Sequence, residues 1–442
     1  MTTQVSGWRR VRVGVSLAAT CVSAMATAAI PLGAAAAKGA GIVGLVVSNA
    51  AAPQPVEGSA HGALTSADPA TAYQLNSAHT GAAGAGEVLG PAMKLRWSIT
   101  LGTGSVSNSA GETNVISYPI IAGGRVFVTI TENNGSYGTT LYALDALSGK
   151  VLWRRALGGT YDVGDLTYDG GTLFAENFDG LVRALSPATG AVLWRTIVAE
   201  ASNDPPTASG GYVYTDGYGN NYGEVDALAE ASGRRAWATS GLWYGEGASP
   251  AVSAGSVYVS YACEQAYALG ATSGTLLWHH GTTCSGGGGL TAAVADSRVF
   301  VRDPSYTFAP AELSTATGKV LSTYTARYIP AIDGATAFVQ TATDGALQAV
   351  NITTGTMKWS FAGDGLLSGP PLVADGMVIS QSHSGRIYVL AEASGSVLET
   401  LRTAAPVQVP NEAAAVSESG TAVGNGLYVA ADIAGILYAY SN

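Results

Sequence analysis

Cys263 and Cys284, the histidines His279, His280 and His383, and the stretch Asp216-Gly217-Tyr218-Gly219-Asn220-Asn221 are the residues best equipped for chemistry in this 442-residue chain. The thiols could pair or bind metal, adjacent imidazoles could ligate, and the Asp and Asn oxygens are the kind that Ca²⁺ takes. Spacing argues against a metal. Consecutive strand residues face opposite sides, so His279 and His280 do not converge on one ion. His383 precedes Ser384-Gly385 and is read as a hydrogen-bonding residue of a hairpin turn. Gly, Asn and Asp at 216–221 are also what a tight turn requires, and a turn is expected there. No HExxH, GxSxG, phosphate-loop or EF-hand spacing occurs, so standard hydrolase and nucleotide mechanisms lack their residues. No catalytic residue and no metal ligand is assigned.

The address of the chain sets the state of its cysteines. Arg9, Arg10 and Arg12 precede an apolar run from Val13 to Ala37, the pattern of a secretory signal over residues 1–37. Gly14, Thr20, Pro31 and Gly33 make that run a poor spanning helix, so cleavage is expected rather than stable membrane insertion. Cleavage would remove Cys21 and leave Cys263 and Cys284 as a pair in a disulfide-permissive compartment. A disulfide between them would close a loop of about 20 residues and contribute about 3 kcal/mol. Residues 38–93, rich in Ala, Gly, Ser and Pro, read as a flexible linker. The net charge of −10 becomes more negative without the three arginines, which excludes a phosphate-tracking surface and hence nucleic acid.

The elements that position these residues come from an internal repeat. The segment Leu141-Tyr142-Ala143-Leu144-Asp145-Ala146-Leu147-Ser148-Gly149-Lys150-Val151-Leu152-Trp153 recurs with its turn glycine at Gly190, Gly233, Gly274, Gly318, Gly355 and Gly395. A period of about 40 residues, rich in strand formers, suits a four-stranded propeller blade. Ser or Thr precedes every one of these glycines, and Trp follows four residues later at Trp153, Trp194, Trp237, Trp278 and Trp359. Ser322 and Glu399 stand there in the other two copies. A last blade around Leu427 and Leu437 lacks its fourth strand, whereas the segment around Trp97 is a fourth strand without a blade. Joining them gives an all-β, eight-bladed propeller over residues 94–442, closed by the N-terminal strand.

The repeat resembles the tryptophan-docking repeat of quinoprotein alcohol dehydrogenases and of the pyrroloquinoline-quinone (PQQ)-like propellers, a family that includes the outer-membrane assembly lipoprotein BamB. The resemblance implies blade docking by Trp97, Trp153, Trp194, Trp237, Trp278 and Trp359, and it serves both enzymes and non-catalytic scaffolds. Its dehydrogenases use a Ca²⁺-held quinone, an Asp base and a disulfide between adjacent cysteines. The chain has no adjacent cysteines and no ligand set that can be carried over, so no cofactor is expected; PQQ with Ca²⁺ belongs to the alternative of an alcohol or sugar dehydrogenase. The expected function is a secreted or cell-envelope platform, a monomer that binds protein or an extracellular ligand. A carbohydrate- or wall-binding module is a third reading. The run Gly286 to Gly289 is read as a cramped crossing beside the disulfide. Any binding face is expected around Gly286 and Gly287 together with Trp243, Tyr244, Glu246, Arg302, Asp303, Arg327 and Tyr328, because aromatic and Arg side chains are effective anchors.

Overall fold

Glycine in the left-handed region lets the chain reverse tightly between the third and fourth strands of each of the seven repeats, and the strands stack into eight four-stranded antiparallel sheets. The computed structural model describes residues 70–84, 89–102, 106–108, 111–113, 115–131, 138–159, 161, 163–199, 204–219, 222–243, 245, 247–284, 288–304, 308–412 and 417–442. Residues 1–37, expected to be a signal, and residues 38–69 of the expected linker lie outside them. None of the described residues forms a helix long and apolar enough to cross a membrane.

Blade 1 begins at Ile120–Ala122, blade 2 at Asp165–Asp169, blade 3 at Thr207–Ser209 and blade 4 at Ala251–Ser253. Blades 5, 6, 7 and 8 begin at Ala293–Ala295, Ala331–Asp333, Leu372–Ala374 and Thr421–Gly424. First strands of successive blades are neighbours around the axis, and each blade runs outward to its fourth strand. Blade 8 takes its fourth strand from Lys94–Thr100, which pairs with Ile436–Ser441 and sets Trp97 opposite Ala439, next to Tyr438. The closure expected from sequence is therefore present. A small hairpin of Val106–Asn108 and Gly111–Thr113, not anticipated, separates this strand from blade 1.

Six tryptophans lock six of the eight blade junctions, and Ser322 and Glu399 stand at the other two. Trp97, Trp153, Trp194, Trp237, Trp278 and Trp359 lie over Gly149, Gly190, Gly233, Gly274, Gly318 and Gly395, where an added Cβ would come within 2.5 to 2.7 Å of the ring. These glycines have φ between +66 and +68°, so both the backbone and the close approach demand the absence of a side chain. Each indole Nε1 donates to the carbonyl three residues before its glycine, at 2.6 to 3.0 Å. Each Trp also faces an Ala across the blade, from Ala143 opposite Trp153 to Ala439 opposite Trp97, which leaves space beneath the ring.

The flexible linker expected over 38–93 does not extend over its last part. Residues 70–83 wind around the axis at the end where first and second strands turn. Ala70 pairs with Ile121 of blade 1, and Thr71 accepts the Tyr168 N–H of blade 2. Ser77, Ala78, Thr80 and Gly81 then accept backbone N–H groups from Val252, Val294, Ile332 and Val373 of blades 4 to 7. Its small residues are fitted rather than loose: a Cβ on Gly81 would meet the Ala331 Cβ at 3.0 Å. Such a segment satisfies inner-strand N–H groups that would otherwise be buried without partners.

Candidate functional site at the propeller axis

The axis is lined by polar side chains between that inner segment, which forms a floor, and the 403–420 connection at the opposite end. Tyr73 and His79 rise from the floor. Tyr73 packs edge-on against Tyr118, and its hydroxyl is buried with no hydrogen-bond partner among the described residues. His79 places Nδ1 3.2 Å from the Ala292 carbonyl and Nε2 3.2 Å from Thr207 Oγ1 and 3.3 Å from Ser249 Oγ. Burial lowers its pKa to about 4, so it is a neutral brace across blades 3 to 5 at physiological pH. Neither residue was singled out in the sequence, where the surrounding Ala, Ser and Gly read as linker.

Arg302 follows the second strand of blade 5 and reaches inward. Its Nη2 lies 2.8 Å from Glu412 Oε2 and 3.2 Å from the Thr291 carbonyl, while Glu412 Oε1 accepts the Thr291 N–H at 3.1 Å. Glu412 belongs to the connection between blades 7 and 8, so this ion pair ties that connection to blade 5. From the same connection, the Glu418 N–H donates to Asp165 Oδ1 at 3.0 Å and the Ser417 hydroxyl accepts the Gly164 N–H at 2.9 Å, both in front of blade 2.

Beside these contacts lies an acidic group made by Asp165, Glu176, Asp204 and Asp216. Asp216 stands in the strand Tyr212–Gly219, not in the turn expected at 216–221, and accepts the Tyr261 hydroxyl at 2.7 Å. Asn220 and Asn221 lie outside the described residues. Burial pushes the Glu176 carboxyl well above its ordinary range, and the negative charges of Asp204, Asp226, Asp165 and Asp216 push it further. Asp165 and Asp216 are raised chiefly by burial as well. Among the described residues, no group of three His, Cys, Asp or Glu is arranged to hold a metal ion.

A carboxyl that keeps its proton in the folded state loses stability as pH rises. Above its ordinary value of 4.5 the unfolded chain releases the Glu176 proton while the folded chain retains it, and this difference costs stability until the raised folded value is passed. Glu176→Gln is therefore expected to raise Tm at pH 8 by several degrees and to leave Tm at pH 4 nearly unchanged. Thermal denaturation at the two pH values checks it; equal shifts at both would place the Glu176 effect outside ionisation.

The residues expected to form one binding face divide. Cys263 and Cys284 are joined, with Cα atoms 5.5 Å apart, on the end of blade 4 that also carries the 403–420 connection. Asp303 accepts the Glu264 N–H at 3.0 Å and so fixes the turn at Cys263, which holds a positive φ of 66°. Arg302 and Asp303 are only 6% and 5% exposed, so they serve the interior rather than a partner. Trp243 is 54% exposed, and Arg327 lies over the Tyr328 ring at 5.5 Å. Tyr244, Glu246, Gly286 and Gly287 lie outside the described residues. The His279 ring stacks on Tyr267 at 4.4 Å and is hydrogen-bonded to Gln265 Oε1.

The BamB from Moraxella catarrhalis superposes with a TM-score of 0.57 at 17% identity, over 79% of this chain and 100% of that one. The quinohemoprotein alcohol dehydrogenase from Comamonas testosteroni gives 0.63 at 14% identity, over 85% and 80%. The computationally designed protein Ika8 gives 0.58 at 14%, over 77% and 100%. An enzyme, an assembly factor and a designed protein thus share this architecture, and such likeness shows the fold alone. No curated protein sequence matches the chain. The family model described as outer membrane protein assembly factor BamB matches residues 90–161, 137–238, 221–325 and 311–441, so nearly the whole propeller is accounted for, and the chain belongs to that PQQ-like propeller family.

Proposed function

We propose that the chain is an exported, non-catalytic propeller that binds a protein partner in the cell envelope through the end bearing Trp243, Arg327 and Tyr328. The observation that carries this reading is the set of buried contacts that tie the connection between blades 7 and 8 across the axis to blades 2 and 5. A quinone held on the axis with Ca²⁺ needs a flat cavity and converging oxygen ligands. Here Tyr73 and Arg302 are buried beside one another, Arg302 is paired with Glu412, no three His, Cys, Asp or Glu among the described residues are arranged to hold a metal ion, and the disulfide closes a loop on blade 4 instead of lying between adjacent residues. The described residues do not fit the group. A rigid frame with exposed aromatic and Arg side chains at one end suits recognition instead.

Photo-crosslinking in cells, with the reactive group at position 243 or 327 and a control at Ser232 on the opposite end, tests the reading. One envelope protein captured from both 243 and 327 but not from 232 is the expected result. Purified protein given PQQ and Ca²⁺ should show neither a bound-quinone spectrum nor dye reduction with alcohols or sugars. Saturable quinone binding with dye reduction would overturn the proposal in favour of a dehydrogenase.

A further inference from the structure

Six blade junctions carry a Trp over a glycine, and the junction between blades 5 and 6 carries Ser322 in its place. The other parts of the seat persist there. Gly355 keeps the left-handed φ of +69°, yet nothing lies within 4 Å of the position its Cβ would take. The Ile352 carbonyl, three residues earlier, corresponds to the acceptor that every docked indole uses, and no donor reaches it among the described residues. Phe300 occupies the place of Phe127, Phe174, Tyr214, Tyr258 and Phe338, whose rings lie 5.7 to 6.0 Å from their tryptophans. A cavity of about 490 Å³ opens at this junction, within the range of small-molecule sites, and Phe300, Ser322, Tyr324, Ile352 and Gly355 are among its lining residues.

One further change accompanies the missing Trp. The Ala that faces Trp across each docked blade is Glu312 here, paired with Ser322 in register. Glu312 Oε2 lies 2.7 Å from Arg298 Nη1, so the bottom of the cavity is an ion pair instead of a methyl group. The seat thus keeps an aromatic wall, a bare glycine surface and a free carbonyl, and gains a polar floor.

We propose that this cavity binds a free indole-type heteroaromatic compound, its ring flat on Gly355 and its ring N–H donated to the Ile352 carbonyl. The occupant is argued from the molecule itself, because the same glycine and carbonyl hold an indole at six other junctions, five of them with the aromatic wall as well and the Trp97 junction with Val429 in its place. The inference stands apart from the proposed envelope function and involves a different part of the propeller.

The test uses indole as the probe with the purified propeller. Ligand-observed NMR titration is expected to give saturable binding with Kd of about 1 mM or tighter, in keeping with nine non-hydrogen atoms. N-methylindole, which lacks the donor, should bind several-fold more weakly. The doubly substituted Glu312→Ala/Ser322→Trp chain restores the pattern of the other junctions and should reduce indole binding at least tenfold. A diazirine-bearing indole, mapped by peptide mass spectrometry on the unsubstituted chain, should label residues 320–325 or 347–355, a readout that does not depend on the variant folding. Absence of saturable binding, unchanged binding in a folded double variant, or labelling only elsewhere would overturn the proposal.

Discussion

A chain that begins at Leu89 should melt at least about 10 °C below one that begins at Pro69, although both keep all eight blades and the closing strand. The difference removes Tyr73, Leu75 and His79 from full burial and breaks the hydrogen bonds from residues 70–83 to the inner strands. Each large apolar side chain contributes about 2 kcal/mol on burial and each lost hydrogen bond about 1 kcal/mol, so the total is on the order of 10 kcal/mol. The inner-strand N–H groups left behind would need water in a narrow axis. Differential scanning calorimetry of the two chains measures the effect. Equal melting temperatures would mean that the floor segment fills space without holding the ring.

Arg302→Met is expected to destabilise the protein by about 3 kcal/mol, since it leaves the Glu412 side chain, only 10% exposed, without its cation. Adding Glu412→Gln should recover a large part of that loss, because the remaining amide still accepts the Thr291 N–H. The single variant should also become sensitive to proteolysis within residues 403–412, where the connection loses its tie to blade 5. Denaturant midpoints and limited digestion read the two effects. Arg302→Met with an unchanged midpoint would show that the pair is incidental to stability.

The ring was legible in the sequence because its parts are local. Gly149 and Trp153 are four residues apart, and the demand for a bare Cα under an indole repeats at a fixed period. Trp97 without a blade and Tyr438 without a fourth strand completed each other for the same reason. The axis was not legible in that way. Arg302 looked like an exposed anchor because its partner Glu412 lies 110 residues away, beyond any local pattern. Asp216 sits among Gly and Asn residues that signal a turn, yet the strand continues through it, and Tyr261 from the next blade supplies its donor. Residues 70–83 escaped notice because backbone groups make most of their bonds, and Ala, Ser and Gly carry those without an apolar period. Tyr73, Leu75 and His79 in a segment otherwise poor in large side chains were the available signal.

Since Lys94–Thr100 completes the sheet that ends at Ser441, the first-made edge of the wheel must wait for the last-made one. During synthesis, seven spokes can assemble in succession while the seam stays open and both rims remain sticky. Shutting it is a late, all-or-none event that needs the final few residues, so even a short C-terminal truncation would leave an arc with two hungry ends instead of a slightly smaller wheel.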